Sequence, residues 1–392
     1  MALSFPTASS VGEVYRDGIK AWVWNGAAWE KVESSDATVS DTPPSTESVV
    51  GATWFNTDNG KLYFFDESLN WVQVSGNELL PDDRPDYSAD GHSATASEIM
   101  VIGGTNNGGT QTRSNVEKLD FSANATATTH GTLASSIKFH SAGSDGTSVL
   151  TFGGNNGTAI VGTVQKTDFS TNTTSANHGA LGNQVQNATG TSDARQIMQA
   201  GGINSGVRSA DVYKMGFANG SSSVAHGALT VERSILSGSS DGYQGLFFGG
   251  NKNSSPPTTD VVDRVYFGYN VTAVSHATLA TARKNITACS DSVDSMIGGG
   301  FDDINTAIQA TSKIGFASGS TEVTHTNLTT TKQNMAACSD GTNGAFTGGQ
   351  LTDGSATVDT IDMIGFASGA TLTSWSGLTV IYQAHTASSG GA

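Results

Sequence analysis

The hydrophobic residues in the long C-terminal part of the chain fall into short runs separated by polar turns, and this pattern recurs about every fifty residues. In each copy a Phe is followed by a His or Trp and then by a Leu, with the same two spacings. The six copies are Phe121-His130-Leu133, Phe169-His178-Leu181, Phe217-His226-Leu229, Phe267-His276-Leu279, Phe316-His325-Leu328 and Phe366-Trp375-Leu378. A fixed motif with a near-constant period predicts a repeat architecture, and a period near fifty is typical of propeller blades.

Every copy divides into four predicted strands. The first is an apolar run that ends in a Gly pair, for example IMVIGG and VLTFGG, and a polar loop of variable length follows it. The second strand carries the Phe, the third carries the His or Trp, and the fourth ends in Ser-Asp-Gly or a close variant. Apolar residues alternate within most runs, as half-buried strands require, and no helical period is present. The pattern predicts an all-β fold with a six-bladed β-propeller over residues 97–392.

A ring of blades needs a strand that joins the two ends of the repeat region. The run IYQAHTASSGG near the end of the chain matches the innermost strand of the other copies, with His385 at the place of His140. We expect this C-terminal segment to complete the first blade, with residues 88–96 as the alternative.

Two small aromatic β modules are predicted before the repeats, at residues 1–33 and 51–75, with polar, Pro-containing linkers at 34–50 and 76–96. Asp-Gly and Asn-Gly dipeptides mark their hairpins. Each module is too short to bury a core alone, so its aromatic residues are expected to pack against a partner, the other module or the repeats. The candidate contact residues are Trp22, Trp24, Trp29, Trp54, Tyr63 and Trp71.

Charge and composition narrow the function classes. The formal charge is −16, from 19 basic and 35 acidic residues. Binding to nucleic acid or to an anionic membrane needs a cationic surface, so the sequence argues against both. The N-terminal MALSFPTASS lacks the basic and apolar regions of a signal peptide, and no stretch is long and apolar enough to span a membrane.

The two cysteines lie at one repeat position in neighbouring copies. Small residues occupy this position in the other copies, and the full set is Cys289, Cys338, Gly143, Thr191, Ser239 and Ser388. A site that needs a small side chain explains the set, and a disulfide or a metal-binding pair is the alternative.

Two further repeat positions carry potential metal ligands. The five motif histidines, called the anchor histidines below, are spread around the ring by symmetry, whereas zinc needs its ligands within about 2.3 Å of one point. We interpret them as packing residues whose rings also donate a hydrogen bond. Five aspartates lie in the Ser-Asp-Gly turns: Asp145, Asp193, Asp241, Asp291 and Asp340. They are predicted to bond nearby backbone in the turn, with a carboxylate ring around a cation as the alternative.

The sequence contains no residue pattern typical of an enzyme. It has no nucleophile elbow with a credible triad, no H-E-x-x-H and no Walker loop. The acidic pair Asp302-Asp303 lies in a variable loop, where solvated turn residues are expected. We predict a non-enzymatic protein with no catalytic residue, no metal and no cofactor.

The loops that follow the Gly pairs differ in length and sequence, although the framework repeats. Such loops cluster on one face of a propeller, and recognition usually resides in variable loops on a rigid scaffold. Their polar side chains can bond sugar hydroxyls, although Phe301 is almost the only aromatic residue among them, and simple solvated connections are the alternative. The candidate ligand-binding residues are Asn106, Asn107, Arg113, Asn155, Asn156, Asn204, Arg208, Lys252, Asp302, Asp303 and Asp353.

The repeat unit resembles the kelch repeat, with its apolar strand ending in Gly-Gly, its aromatic residue on the next strand and its Trp-like anchor. It departs from that pattern because Phe replaces the usual Tyr, and His replaces Trp in five of the six copies. The resemblance covers residues 97–392 and implies the fold alone, because propellers host many activities.

The N-terminal modules are similar to modules of tail-fibre and other virion proteins of tailed bacteriophages. The residues that carry this similarity are Phe5-Pro6, 12–15, WVWNGAAW at 22–29 and GATWFNTDNGKLYFF from residue 51, with Trp71. The similarity implies a virion protein in which residues 1–75 attach to other virion proteins and the propeller is displayed.

A host-surface receptor, with glycans among the candidates, is the partner expected for such a displayed propeller. The alternatives are a capsid-decorating protein, a free kelch-like lectin or adhesin, and a glycan-active enzyme; an adhesin would need a secretion signal. Fibre proteins usually assemble by symmetry, so we expect a homo-oligomer, with a trimer as the candidate.

Overall fold

The computed structural model consists of strands and turns, with no helix among the residues that it describes. These are residues 96–390 without 107–110, 172–173, 219–222, 269–271, 353–355, 368–370 and 376, together with seven strands in residues 14–73. Nothing in this described part forms a helix that could cross a membrane. The chain divides into two compact units, Met1–Arg84 and Pro85–Ala392.

The N-terminal unit contains two small sheets. The first is antiparallel and has the strand order β1 (Val14–Asp17), β2 (Lys20–Trp24), β3 (Trp29–Val32). The second has the order β4 (Thr38–Ser40), β5 (Thr53–Asn56), β6 (Lys61–Phe65), β7 (Trp71–Gln73), and β4 runs parallel to β5. Strand β4 lies within the segment interpreted as a linker. All six candidate contact residues lie on these strands, but their side chains are outside the described residues.

The C-terminal unit is a ring of six antiparallel four-stranded sheets, which confirms the predicted all-β, six-bladed propeller. Blade 1 consists of β8 (Glu98–Ile102), β9 (Arg113–Asp120), β10 (Thr128–Ile137) and the C-terminal β37 (Thr386–Gly390). Blade 2 consists of β11 (Ser141–Ser144), β12 (Ser148–Phe152), β13 (Thr163–Asp168) and β14 (Ala176–Ala180). Blade 3 consists of β15 (Thr189–Ser192), β16 (Gln196–Ala200), β19 (Asp211–Gly216) and β20 (Val224–Ala228).

The other three blades repeat this order. Blade 4 consists of β22 (Ser237–Ser240), β23 (Gln244–Phe248), β25 (Val261–Tyr266) and β26 (Val274–Thr278). Blade 5 consists of β27 (Thr287–Ser290), β28 (Asp294–Gly298), β29 (Ala310–Gly315) and β30 (Val323–Asn327). Blade 6 consists of β32 (Ala336–Ser339), β33 (Asn343–Thr347), β35 (Ile361–Gly365) and β36 (Thr371–Trp375).

Short two-stranded ribbons lie outside the blades. They are β17 (Ile203–Asn204) with β18 (Val207–Arg208), β21 (Arg233–Ser234) with β24 (Asn251–Lys252), and β31 (Lys332–Gln333) with β34 (Gln350–Leu351). The last two ribbons join the connection that enters a blade to the loop that follows the Gly pair of that blade.

The C-terminal strand completes blade 1. Strand β37 pairs antiparallel with β8, from Thr386 opposite Ile102 to Gly390 opposite Glu98. The inner edge of β8 is therefore occupied by the end of the chain, as the sequence led us to expect, and not by residues 88–96.

The ring has two distinct faces because every blade has the same strand order. The turn from the innermost strand to the second strand lies on one face, which we call the turn face. The loop from the second strand to the third, which follows the Gly pair, lies on the opposite face, which we call the loop face. All six variable loops therefore emerge on the loop face.

The core consists of six hydrophobic clusters, one at each interface between neighbouring blades. At the interface of blades 2 and 3, for example, Leu181 and Val185 pack with Ile197 and Phe217. The motif Phe and Leu of every copy are buried in these clusters. Burying one such side chain contributes about 1.5–3 kcal/mol, so the repeated motif stabilises the contacts between blades.

The Gly pairs are required by the backbone at the loop-face end of the second strand. Gly201 and Gly202 have φ of 64° and 103°, a left-handed region that residues with a Cβ rarely adopt. A Cβ on Gly201 would lie 2.6 Å from the Arg233 carbonyl oxygen, and the Gly202 N–H donates to that same oxygen at 2.9 Å. The close approach of two chains thus explains the Gly pair of this blade.

Candidate functional site

The anchor histidines connect neighbouring blades. His226 on the outermost strand of blade 3 donates from Nε2 to the Tyr266 carbonyl oxygen of blade 4, at 2.7 Å. The acceptor precedes the motif Phe of the next blade in every case, and the other four pairs are His130–Asp168, His178–Gly216, His276–Gly315 and His325–Gly365. The predicted role in packing and hydrogen bonding is confirmed.

Buried ion pairs join three of the interfaces, and the sequence interpretation missed them. Arg233 lies 3.0 Å from Asp263, and Lys332 lies 2.9 Å from Asp362, with all four side chains fully buried. Arg283 pairs with Glu322 at the interface between them. Each cation stands four residues after the motif Leu, at a position that is apolar or aromatic in the other copies. A charged residue at a position that is otherwise apolar could have indicated a buried ion pair from the sequence.

The interface that closes the ring carries a buried carboxylate in place of an ion pair. Glu117 of blade 1 accepts hydrogen bonds from the backbone N–H of Thr379, at 3.0 Å, and from its hydroxyl. Burial raises the pKa of Glu117 above its usual value, and these bonds oppose the rise. The guanidinium of Arg113, a candidate ligand residue, lies 6.0 Å from the centroid of the Tyr382 ring at this interface.

The aspartates of the Ser-Asp-Gly turns bond their own backbone. Asp241 Oδ1 accepts the N–H groups of Tyr243 and Gln244, each at 2.8 Å. The same two bonds occur at Asp145, Asp193, Asp291 and Asp340. The turn interpretation is confirmed. Among the described residues, no group of three or more His, Cys, Asp or Glu is placed to hold a metal ion.

Cys289 and Cys338 are free and buried on the innermost strands of blades 5 and 6, which confirms the small-residue interpretation. Burial raises the pKa of both thiols well above the usual value. A Cβ on Gly344 would lie 2.7 Å from the Cys289 sulfur, so the space around this thiol is filled.

Several candidate ligand residues hold the shape of their own loops. Asn155 accepts the N–H of Gly157 at 2.8 Å, and Asn156 accepts two N–H groups two and three residues further on. Asp302 accepts the N–H groups of Ile304 and Thr306. Asn204 accepts the hydroxyl of Ser205 at 3.1 Å.

Other candidates connect loops of neighbouring blades. Arg208 of blade 3 donates to Asn253 of blade 4 at 2.7 Å. Asp303 of blade 5 accepts the N–H and the hydroxyl of Thr258 in the loop of blade 4. These bonds, with Coulombic attraction from Lys252 and Lys284, lower the pKa of Asp303.

One further candidate, Asn106, also lies on the loop face. Asn106 accepts the Gln111 N–H at 3.0 Å, and its carbonyl accepts the Gln383 side chain. Asn107 and Asp353 lie outside the described residues. The candidates that the structure describes therefore lie around the circumference of the loop face, and several of them join neighbouring blades. They do not gather at one point.

Six residues with a left-handed backbone surround the mouth of the central channel on the loop face. They are the equivalent residues Phe139, Asn187, Ile235, Asn285, Asn334 and Ala384, with φ between 52° and 57°. Their backbones are joined head to tail: the Ile235 N–H donates to the Asn187 carbonyl oxygen at 2.9 Å, and four other steps repeat this bond. We call these six residues the mouth ring.

Below the mouth ring lies a cavity of about 130 Å³, lined by the first residues of the six innermost strands and the residue before each of them. A second, narrower cavity of about 70 Å³ continues towards the turn face. The sequence interpretation did not single out the channel. A signal was present, because five of the six copies carry Ser or Thr eight residues after the motif Leu.

Comparison with protein-family models finds no match for this chain. Comparison with curated proteins also finds no match. By its fold, the C-terminal unit is an all-β six-bladed propeller.

Proposed function

We propose that the chain is a non-enzymatic virion structural protein of a tailed bacteriophage, in which residues 1–75 attach to other virion proteins and the kelch-like propeller is displayed for recognition of a host surface. The observation that carries the proposal is the contrast between the blade interfaces and the loops on the loop face. Five blade interfaces repeat the same histidine bond, whereas six loops of different length and sequence emerge on one face.

The side chains on the loop face support recognition over catalysis. Asp302 and Asp303 are adjacent in sequence but bond to different partners, Asp302 within its own loop and Asp303 to Thr258 of another blade. General acid–base catalysis needs positioned groups that converge on one substrate. Polar loops that differ from blade to blade on a repeated scaffold instead offer a broad polar surface, typical of recognition.

The similarity of the N-terminal modules to virion modules supports the attachment role. A formal charge of −16 suits a soluble surface exposed to other macromolecules. Homo-oligomerisation, with three copies as the candidate, belongs to the same proposal.

The proposal is tested first by mass spectrometry of purified particles from the source of the sequence. The expected result is that the chain is a stoichiometric component, and immunogold labelling would place it on the tail or on the capsid. If the chain were found on cells and not on particles, the adhesin alternative would replace the proposal.

The attachment role is tested by deleting residues 1–75. The truncated chain is expected to remain folded and soluble but to be absent from particles, whereas the full chain is incorporated. Incorporation of the truncated chain, or its failure to fold, would contradict the assigned division of roles. Purified full chain should also reduce adsorption of particles to host cells, with heat-unfolded chain as the control.

A further inference from the structure

Several hydroxyl groups line the cavity at the loop-face end of the channel. Ser141, Thr189, Ser237 and Thr287 occupy equivalent positions on four innermost strands and line the cavity. They are 8%, 8%, 7% and 6% exposed, so each is more than nine-tenths buried. Their hydroxyl oxygens make no hydrogen bond to another described residue and are accessible from the cavity. Thr386 supplies a fifth hydroxyl from the strand that closes the ring.

Hydroxyl groups that face a cavity without a protein partner are available to bond whatever occupies it, ordered water included. A single unpaired hydroxyl could be a local accident of packing. Four at one repeat position, all facing one cavity, indicate that the space takes something that bonds to hydroxyl groups. The two candidates are ordered water alone and a small polyhydroxylated ligand.

The rim above the cavity adds amide groups and one aromatic ring. The mouth ring contributes Asn187, Asn285 and Asn334, and Gln333 is joined to Asn285 by a side-chain hydrogen bond of 2.7 Å. Phe139, also on the mouth ring, is half-buried with Lys138 5.5 Å from its ring centroid. Amides supply both donors and acceptors, as hydroxyls require, and an aromatic face suits the apolar side of a sugar ring.

The charge of the cavity is close to zero at neutral pH. Its only ionisable lining residues are His140 and His385. Burial lowers the pKa of His140 to about 4 and that of His385 to about 3, so both rings are neutral. No cation or carboxylate lines the cavity itself at neutral pH, and Lys138 lies at the rim beside the Phe139 ring.

Size limits the ligand to one ring. The cavity measures about 130 Å³. A cavity of roughly 150 Å³ accepts benzene when it is lined by apolar groups. Benzene has six heavy atoms and a hexopyranose has twelve, so this space takes the hydroxyl-bearing edge of one sugar ring, and the rest of that ring lies among the residues of the rim.

We propose that the loop-face mouth of the central channel binds one neutral sugar residue, held by the four hydroxyls of the cavity and by the amides of the rim. The site extends the recognition role proposed above and rests on it. Particle incorporation and sugar binding are separate measurements, so the failure of one is distinguishable from the failure of the other.

The test uses the full chain and three neutral monosaccharides, D-glucose, D-galactose and N-acetyl-D-glucosamine, with N-acetylneuraminic acid as the charged comparison. Binding is measured by saturation-transfer NMR and by the shift of the unfolding temperature with sugar concentration. At least one neutral sugar is expected to bind, with a dissociation constant on the order of 1–10 mM for so small a ligand. The charged sugar is expected not to bind.

Two variants test whether the sugar binds in the cavity. Thr189→Val and Ser237→Ala each remove one cavity hydroxyl with little change of shape, and each is expected to weaken binding about threefold to tenfold. Thr158→Val is the matched control, because Thr158 is exposed in a loop on the same face. Its affinity is expected to equal that of the unmodified chain.

Three results would overturn the inference. The first is no binding of any neutral sugar at about 100 mM, a concentration at which such a site would be largely filled. The second is binding that the two cavity variants leave unchanged while their unfolding temperatures show them to be folded. The third is binding of the charged sugar alone.

Discussion

Three of the six residues of the mouth ring are Asn, the residue after Gly that adopts a left-handed backbone most readily. The others are Phe139, Ala384 and Ile235. A β-branched residue with positive φ is a true outlier, and the conformation costs roughly 1–2 kcal/mol for an ordinary L-residue. The ring bonds require the conformation at every blade, so Ile235 is held there by its neighbours.

Replacing Ile235 by Asn is therefore expected to stabilise the propeller. The free energy of unfolding should rise by about 1 kcal/mol, since Asn lowers the cost of the same backbone. Asn285→Ile is the reciprocal change and should lower it by a similar amount. Denaturant unfolding of the full chain measures both changes in the free energy of unfolding. Changes of the same sign in the two variants would contradict the explanation.

The buried ion pair of Lys332 and Asp362 leads to a second prediction about the effect of a single residue change on stability. Lys332→Met should lower the free energy of unfolding by about 3–5 kcal/mol, because it leaves Asp362 charged and buried without its cation. The natural interface of blades 1 and 2 supplies the matched control. Ile137 and Gln165 stand there at the equivalent positions, and Gln165 accepts the Ala134 N–H at 2.7 Å.

The double variant Lys332→Ile with Asp362→Gln copies that neutral interface. It is expected to recover most of the stability lost in the single variant, measured by the same denaturant unfolding. A double variant less stable than the single one would show that the ion pair itself, and not the removal of one partner, stabilises this interface.

These pairs also show where sequence reasoning at the residue scale stopped. The motif Phe, His and Leu could be assigned because their types repeat at fixed spacing. Arg233 and Lys332 could not, because a lone charged residue is normally exposed and its partner lies about thirty residues away in the next blade. The cavity hydroxyls were missed for a similar reason, since Ser and Thr in a polar sequence carry no signal until the strands enclose a channel.

At the scale of the element, the blade strands were predictable and the ribbons were not. A blade strand such as β23 ends in the apolar residues Leu246 to Phe248 and is followed directly by a Gly pair, so its local pattern is sufficient. Strands β21 and β24 have two residues each and pair only because the entry to a blade passes beside the loop after its Gly pair. Two residues carry no period, so only the ring geometry reveals them.

The closing strand β37 gives a prediction at the same scale. Deleting residues 380–392 should leave the inner edge of β8 unpaired, because β37 supplies every partner along that edge. An exposed strand edge favours association with other chains. We expect a lower unfolding temperature and soluble aggregates by light scattering, whereas deleting 391–392 alone should leave both properties unchanged. Identical melting of the two truncations would contradict the role of β37.

At the scale of the whole molecule, we expect His140 and His385 to make the closure of the ring sensitive to acid. They stand on either side of blade 1, at a position that Leu236 and Met335 fill in other blades. The His140 ring bonds the Ile102 carbonyl, and the His385 ring bonds the Thr347 hydroxyl. Desolvation is the main cause of both lowered pKa values, and the charge of His140 further lowers that of His385.

The sign of the effect follows from proton binding. The usual pKa of His is 6.5, and these two have values of about 4 and about 3 in the folded chain. Below pH 6.5 the unfolded chain binds protons that the folded chain cannot bind, so the free energy of unfolding decreases as the pH falls. The loss from these histidines should be several kcal/mol and should be spread between about pH 6.5 and pH 3.

The matched control for this prediction is the double variant His140→Leu with His385→Met, which copies blades 4 and 6. Its unfolding temperature should fall less steeply between pH 6.5 and pH 4 than that of the unmodified chain. Equal slopes would show that other groups, such as the turn aspartates, account for the acid sensitivity.

The pairing of β37 with β8 also has a mechanical consequence. Glu98, where the chain enters the ring, lies beside Gly390 at the turn-face end of blade 1, opposite the face that carries the loops. A pull from Glu98 against a load on the loop face runs along β8, which is held by β37 on one side and by β9 on the other. Such a pull acts parallel to the strands, so the hydrogen bonds from β8 to β37 and from β8 to β9 are all loaded at the same time. They would have to break together and could not open one after another. Under the proposed attachment through residues 1–75, the propeller would be held by a strand that is hydrogen-bonded to a neighbour on both sides.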